Sequence, residues 1–199
     1  MCIAISAFLF IAVVLVVSYA FLGNHVSKEA KETFQMLKKC LNDTNLSTNV
    51  VELVIPDGTC NDVDKTVFDL GAFNRLRRFY VGSFSLGSIR TVKICNLNGI
   101  QKIVFKEGSF MRENGELHIE NCRFMRELTI QDKAFSAFTR LYLTKLPALK
   151  SLSFGPNSFT YTTEVQLNDN PRLNSVFADK YALYNVKEFD MLSGRLMIM

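Results

Sequence analysis

The sequence predicts a β-rich solenoid of about six coils, each of roughly 24 residues and each carrying two short parallel strands. Three observations lead there. An apolar-x-x-apolar-x-apolar pattern recurs as Ile100 to Phe105, Met125 to Ile130 and Leu149 to Phe154. Four residues beyond each comes a small residue followed by Phe, at Ser109-Phe110, Ala134-Phe135 and Ser158-Phe159, with Ser83-Phe84 and Ala182-Leu183 in the neighbouring copies. A second apolar pair then follows in phase: Val92-x-Ile94, Leu117-x-Ile119, Leu141-x-Leu143, Val165-x-Leu167 and Phe189-x-Met191.

The coils start at Val50, Leu76, Ile100, Met125, Leu149 and Leu173, with spacings of 26, 24, 25, 24 and 24. The first copy is divergent, but Val50, Leu53, Ile55, Phe68, Leu70 and Phe73 fit the template. Alternating apolar and polar residues have period two, the signature of a half-buried strand. A single coil cannot bury its apolar edge alone, so stability must come from stacking on its neighbours. The recurring Phe is then expected to form a buried column. Asn and Gly cluster at expected corners, as in Asn96-Leu97-Asn98-Gly99 and Asn168-Asp169-Asn170-Pro171, where tight turns need them.

Leu149-Lys150-Ser151-Leu152-Ser153-Phe154-Gly155-Pro156-Asn157 fits the L-x-x-L-x-L-x-x-N core and resembles leucine-rich repeats. The other copies lack that Asn. The unit with its small-Phe pair is more similar to the divergent, BspA-like repeats of microbial and protist surface proteins. The resemblance covers residues 50–191 and implies a curved solenoid used for adhesion or protein binding.

Three segments follow from the reading: residues 1–22, residues 24–49 and the solenoid at 50–199. Residues 3–22 contain no charged side chain, and twenty apolar residues in a helix span about the thickness of a bilayer core. Two readings fit this apolar helix: a cleavable signal peptide ending near Ala20, or an uncleaved signal anchor. Lys28, Lys31, Lys38 and Lys39 follow the run, which under the positive-inside rule places the body in the cytosol. Two glycosylation sequons, at Asn42 and Asn45, point instead to a lumenal or extracellular body.

Residues 27–41 read as an amphipathic helix capping the first coil, with Val26, Ala30, Phe34, Leu37 and Leu41 on one side and Ser27 as N-cap. The C-terminal end shows no recognisable cap and finishes Leu196-Met197-Ile198-Met199.

Of the five cysteines, Cys40 and Cys60 flank the first structured segment, where a bridge would staple the N-terminal end. Cys95 and Cys122 occupy different places in their coils and are expected to be free. There is no CxxC and only two His, which argues against zinc, and no metal or cofactor is expected. A net charge of +4 is too mild for a dedicated nucleic-acid binder, so nucleic acid is not an expected partner.

The candidate ligand positions come from residues that alternation turns outward. In the first strand they are Val54, Tyr80, Val104, Thr129, Ser153 and Phe177; in the second, Asp69, Lys93, His118, Tyr142, Gln166 and Asp190. A curved sheet lined by Thr129, Ser153, Tyr142 and Gln166 is the expected binding face. Arg75, Arg77 and Arg78 with Arg90 and Lys93 form the densest basic stretch, suited to an anionic glycan or acidic protein. His118 between Glu116 and Glu120 forms an acid-base group without nucleophile, metal partner or cleft. Phosphate loops and hydrolase motifs are absent. The expected function is a non-enzymatic cell-surface or secreted module recognising a protein or glycan. The alternative is a membrane-tethered intracellular interaction scaffold, and the oligomeric state is open.

Overall fold

A computed structural model describes residues 34–36, 48–61 and 65–191 of the 199-residue chain. Its strands, in order, are β1 (Phe34–Met36), β2 (Glu52–Ile55), β3 (Val67–Asp69), β4 (Arg78–Val81), β5 (Thr91–Cys95), β6 (Lys102–Phe105) and β7 (Gly115–Glu120). They continue as β8 (Glu127–Ile130), β9 (Phe138–Thr144), β10 (Ser151–Phe154), β11 (Glu164–Gln166), β12 (Ser175–Ala178) and β13 (Glu188–Asp190). The even strands and β1 form one seven-stranded parallel sheet, ordered β1-β2-β4-β6-β8-β10-β12. The odd strands from β3 form a six-stranded parallel sheet, ordered β13-β11-β9-β7-β5-β3. Each coil adds one strand to each sheet, so a β-solenoid of about six turns is the architecture.

Alternation sets which side chains enter the space between the sheets. In β4 the pattern places Phe79 and Val81 inside and Arg78 and Tyr80 outside; β6, β8 and β10 repeat it. Rings from the two sheets meet in the core, as where Phe68 stacks on Phe79 with centroids 5.6 Å apart.

The expected Phe column is present. Phe110 stacks on Phe135 at 4.8 Å and 5°, and Phe135 on Phe159 at 4.9 Å and 12°; all three are fully buried. Each of them has positive φ, between 49° and 56°. Such a backbone costs a non-glycine residue about 1–2 kcal/mol. Burying the ring contributes about 1.5–3 kcal/mol, and each aromatic pair about 0.5–1.5 more, so the column offsets its own strain.

One register differs from expectation. The residue stacked under Phe110 is Leu86, not Phe84: Phe110 N–H donates to Ser85 O, just as Phe135 N–H donates to Ser109 O. Leu86 is fully buried with φ 59°, while Phe84 is 53% exposed. Both residues occupy left-handed positions of the same corner, one facing in and one out. Phe84 covers Gly108, where an added Cβ would lie 2.5 Å from its ring.

The N-terminal side also differs. Phe34–Met36, within the stretch expected to be helical, is a strand paired in parallel with Glu52–Val54 of β2. Strand addition satisfies backbone groups along the β2 edge that a helix would have left open. The remainder of the expected helix, the apolar run, both sequons and the C-terminal tail lie outside the described residues. No helix among the described residues is long and apolar enough to cross a membrane.

Candidate ligand faces

Both outward rows exist as ladders. On the seven-stranded sheet Val54 pairs with Tyr80, Tyr80 with Val104, Val104 with Thr129, Thr129 with Ser153, and Ser153 with Phe177. On the six-stranded sheet the register runs Asp69, Lys93, His118, Tyr142, Gln166, Asp190. Sequence alternation thus places every one of these residues correctly.

The expected composite face does not form. Thr129 and Ser153 lie on one sheet, Tyr142 and Gln166 on the other, and the shared core separates them. One flat ligand surface touches one row only. The expected basic stretch is divided for the same reason. Arg78 is on the seven-stranded sheet, where its Nε donates to Glu52 at 2.6 Å, while Lys93 is on the six-stranded sheet, in β5, and Arg90 immediately precedes that strand. Arg77 precedes β4, its carbonyl accepting from the backbone of the next coil.

The two faces differ in chemistry. The seven-stranded row is apolar or small apart from Tyr80, and flanking charges cancel through Glu52–Arg78 and through Lys102–Glu127 at 2.6 Å. Exposed pairs of this kind contribute under about 1 kcal/mol each. The six-stranded sheet instead carries a connected polar set. His118 Nδ1–H donates to Glu120 at 2.8 Å, and its ring stacks on Tyr142 with centroids 4.6 Å apart. Its Nε2 stands 3.6 Å from Glu116, and this buried nitrogen has no hydrogen-bond partner. Arg140 bridges to Glu116 at 3.5 Å, and Gln166 donates to Glu164 at 2.9 Å. Burial, followed by its hydrogen bond to the Glu164 carboxylate, pushes the Tyr142 phenol up from its ordinary value. Outward carboxylates at Asp69, Glu116, Glu120, Glu164, Glu188 and Asp190 outnumber Lys93 and Arg140, so this face is acidic.

Among the described residues no group of His, Cys, Asp and Glu is arranged to hold a metal ion. Cys95 and Cys122 are free thiols, as expected, and Cys60 is disulfide-bonded. Burial pushes the Cys122 thiol up to about 11; it donates to Ile94 O at 3.3 Å.

The Asn singled out for the L-x-x-L-x-L-x-x-N fit plays a peripheral part, since Asn157 donates to the Asp132 side chain. The fully buried Asn170 joins coils from inside the core. Its amide donates to Leu143 O at 2.7 Å and accepts from Leu146 N–H at 2.9 Å. Cys122 occupies the same place after its own strand. The signal was present in the sequence, three residues beyond the second apolar pair.

Sequence reasoning also missed a basic corner. Between the two sheets, in the third to fifth coils, Arg123, Arg126, Lys150 and Arg172 line a groove of about 740 Å³ with Phe124 and Pro147. Arg123 and Arg172 belong to short turns and Arg126 and Lys150 directly precede strands, so only stacking gathers them.

Comparison with known family models, curated proteins and solved structures finds no match to this chain.

Proposed function

We propose that this chain is a non-enzymatic recognition module of the secretory pathway, displayed at the cell surface or secreted, and related in design to the BspA-like leucine-rich repeats. The observation that carries the reading is the six-stranded face. Its His118–Tyr142 stack and the flanking carboxylates are fixed by neighbours before any ligand arrives, which lowers the ordering cost of binding. A parallel ladder holds these side chains about 4.8 Å apart from coil to coil. The ligand is a protein or glycan surface presenting cations and hydroxyls. Lys93, His118, Tyr142 and Gln166 make the central contacts. The row Tyr80, Thr129 and Ser153 on the other sheet is the lesser face.

The disulfide at Cys60 supports an oxidising compartment, since such bonds persist mainly in exported proteins. Its expected partner is Cys40. The competing reading, a membrane-tethered intracellular scaffold, draws on the lysines that follow the apolar run.

Expression in eukaryotic cells followed by endoglycosidase digestion separates the two. Recognition at the surface requires a mass shift that disappears when Asn42 and Asn45 are both changed to Gln. It also requires Cys60 to resist alkylation unless a reductant is added. An unshifted chain with an alkylatable Cys60 supports the scaffold.

A further inference from the structure

The basic corner is separate from both ladders and is built differently. Arg126 and Lys150 precede β8 and β10 by one residue each, so they occupy the same position on adjacent coils. Coil stacking sets about 4.8 Å between such positions. Arg123 and Arg172 flank them at the turn, and Phe124 between them is 48% exposed. None of the four basic side chains has an ion-pair or hydrogen-bond partner among the described residues. Glu127, which follows Arg126 in the chain, is already held by Lys102 at 2.6 Å. One carboxylate, Asp169, lies in the adjoining hollow with Lys145 and Arg123.

Unpaired like charges kept close together repel one another, and a polyanion relieves that repulsion on binding. The groove runs across successive coils with a cation at each step, Arg123 and Arg126, then Lys150, then Arg172, so it matches an extended chain bearing repeated anions. Phe124 and Pro147 add an apolar floor suited to the C–H faces of sugar rings. Nucleic acid fits less well: its capture generally relies on several aromatic stacking platforms and a larger basic excess, and here a single aromatic side chain among the described residues lines the groove.

We propose that the corner formed by Arg123, Arg126, Lys150 and Arg172 binds the sulfate groups of an extended sulfated glycan, whose sugar faces lie on Phe124. Guanidinium groups suit this task because they present paired donors to oxyanions. The inference rests on the recognition reading for access to extracellular carbohydrate. The binding assay is independent of topology, so a negative result here and a missing N-glycan above are separate outcomes.

The test uses the purified full chain over immobilised short heparin, the same polymer with its sulfates removed, and single-stranded poly-uridine RNA. Binding to the sulfated polymer alone is expected, weakening roughly 10- to 100-fold as salt rises from about 50 to about 200 mM. The double variant Arg126→Glu/Lys150→Glu is expected to lose affinity by about tenfold or more, while Arg112→Glu, exposed on the segment before β7 and outside the groove, stays within about twofold. If the reversal lowers the melting temperature, Arg126→Gln/Lys150→Gln carries the test in the same direction. Four results would overturn the proposal: no binding to the sulfated polymer, equal binding after sulfate removal, RNA binding as tight as that of heparin, or a double variant indistinguishable from the parent. Self-association in sedimentation that the double reversal abolishes, without heparin binding, would assign the corner to the acidic face of a second copy and also overturn it.

Discussion

Gly115 begins β7 beneath the buried Phe138 ring, where an added Cβ would lie 2.5 Å from two ring carbons. The ring is enclosed and cannot retreat. Gly115→Ala is therefore expected to lower stability by about 1–3 kcal/mol in urea unfolding. Gly58 gives the contrast: its φ is +66°, but nothing lies within 4 Å of a Cβ there. Gly58→Ala is expected to lose only about 1–2 kcal/mol, from backbone strain alone. A Gly115→Ala protein as stable as the parent would contradict the packing. Cys122 supplies a pH signature. Burial raises its thiol from 9.0 to about 11, so the fold favours the protonated form. This contribution is complete below the ordinary thiol value and is lost as pH rises through the folded value. Between about pH 9 and 11 the parent is expected to lose about 2–3 kcal/mol more than Cys122→Ala does. Parallel stability curves for the two proteins would refute it.

At the scale of the coil element, the Phe column and the corner beside it carry the argument. Phe135 is stacked on both sides and fully buried, so Phe135→Ala is expected to cost about 3–5 kcal/mol. Phe84 is half exposed, and Phe84→Ala is expected to cost about 1 kcal/mol or less. Equal effects in thermal or urea unfolding would mean that the column is misassigned. This pair also marks where the sequence was misleading. Positions 84 and 86 are both left-handed and two residues apart, and Phe stands at the outward one. A repeat pattern records residue type, not the direction a corner gives it. The strands themselves were legible, because period-two alternation has one physical cause: a core on one side of the sheet. The Phe34–Met36 strand was not legible, because its spacing of apolar residues fits a helix, and pairing with the β2 edge decides otherwise.

At the scale of the whole molecule, stacking sorts charge that the linear sequence scrambles. Arg78 and Lys93 are close in sequence yet lie on different sheets. Arg123, Lys150 and Arg172 are far apart in sequence yet share one groove. The outward rows were legible because each follows from its own strand. The split between rows and the basic corner were not, because they depend on which sheet each strand joins. An acidic six-stranded face and a basic corner on one rigid body are the result. All of this requires that coils be interchangeable units held by their neighbours. Removing residues 125–148 deletes one 24-residue coil and joins Phe124 to Leu149 in the same phase. Removing only residues 125–136 breaks the phase. The decisive measurement is circular dichroism with thermal unfolding of both deletions. The whole-coil deletion is expected to keep a strand-rich spectrum and a cooperative transition, while the half-coil deletion loses both. Collapse of the two proteins alike, or survival of both, would contradict a structure built from stacked coils.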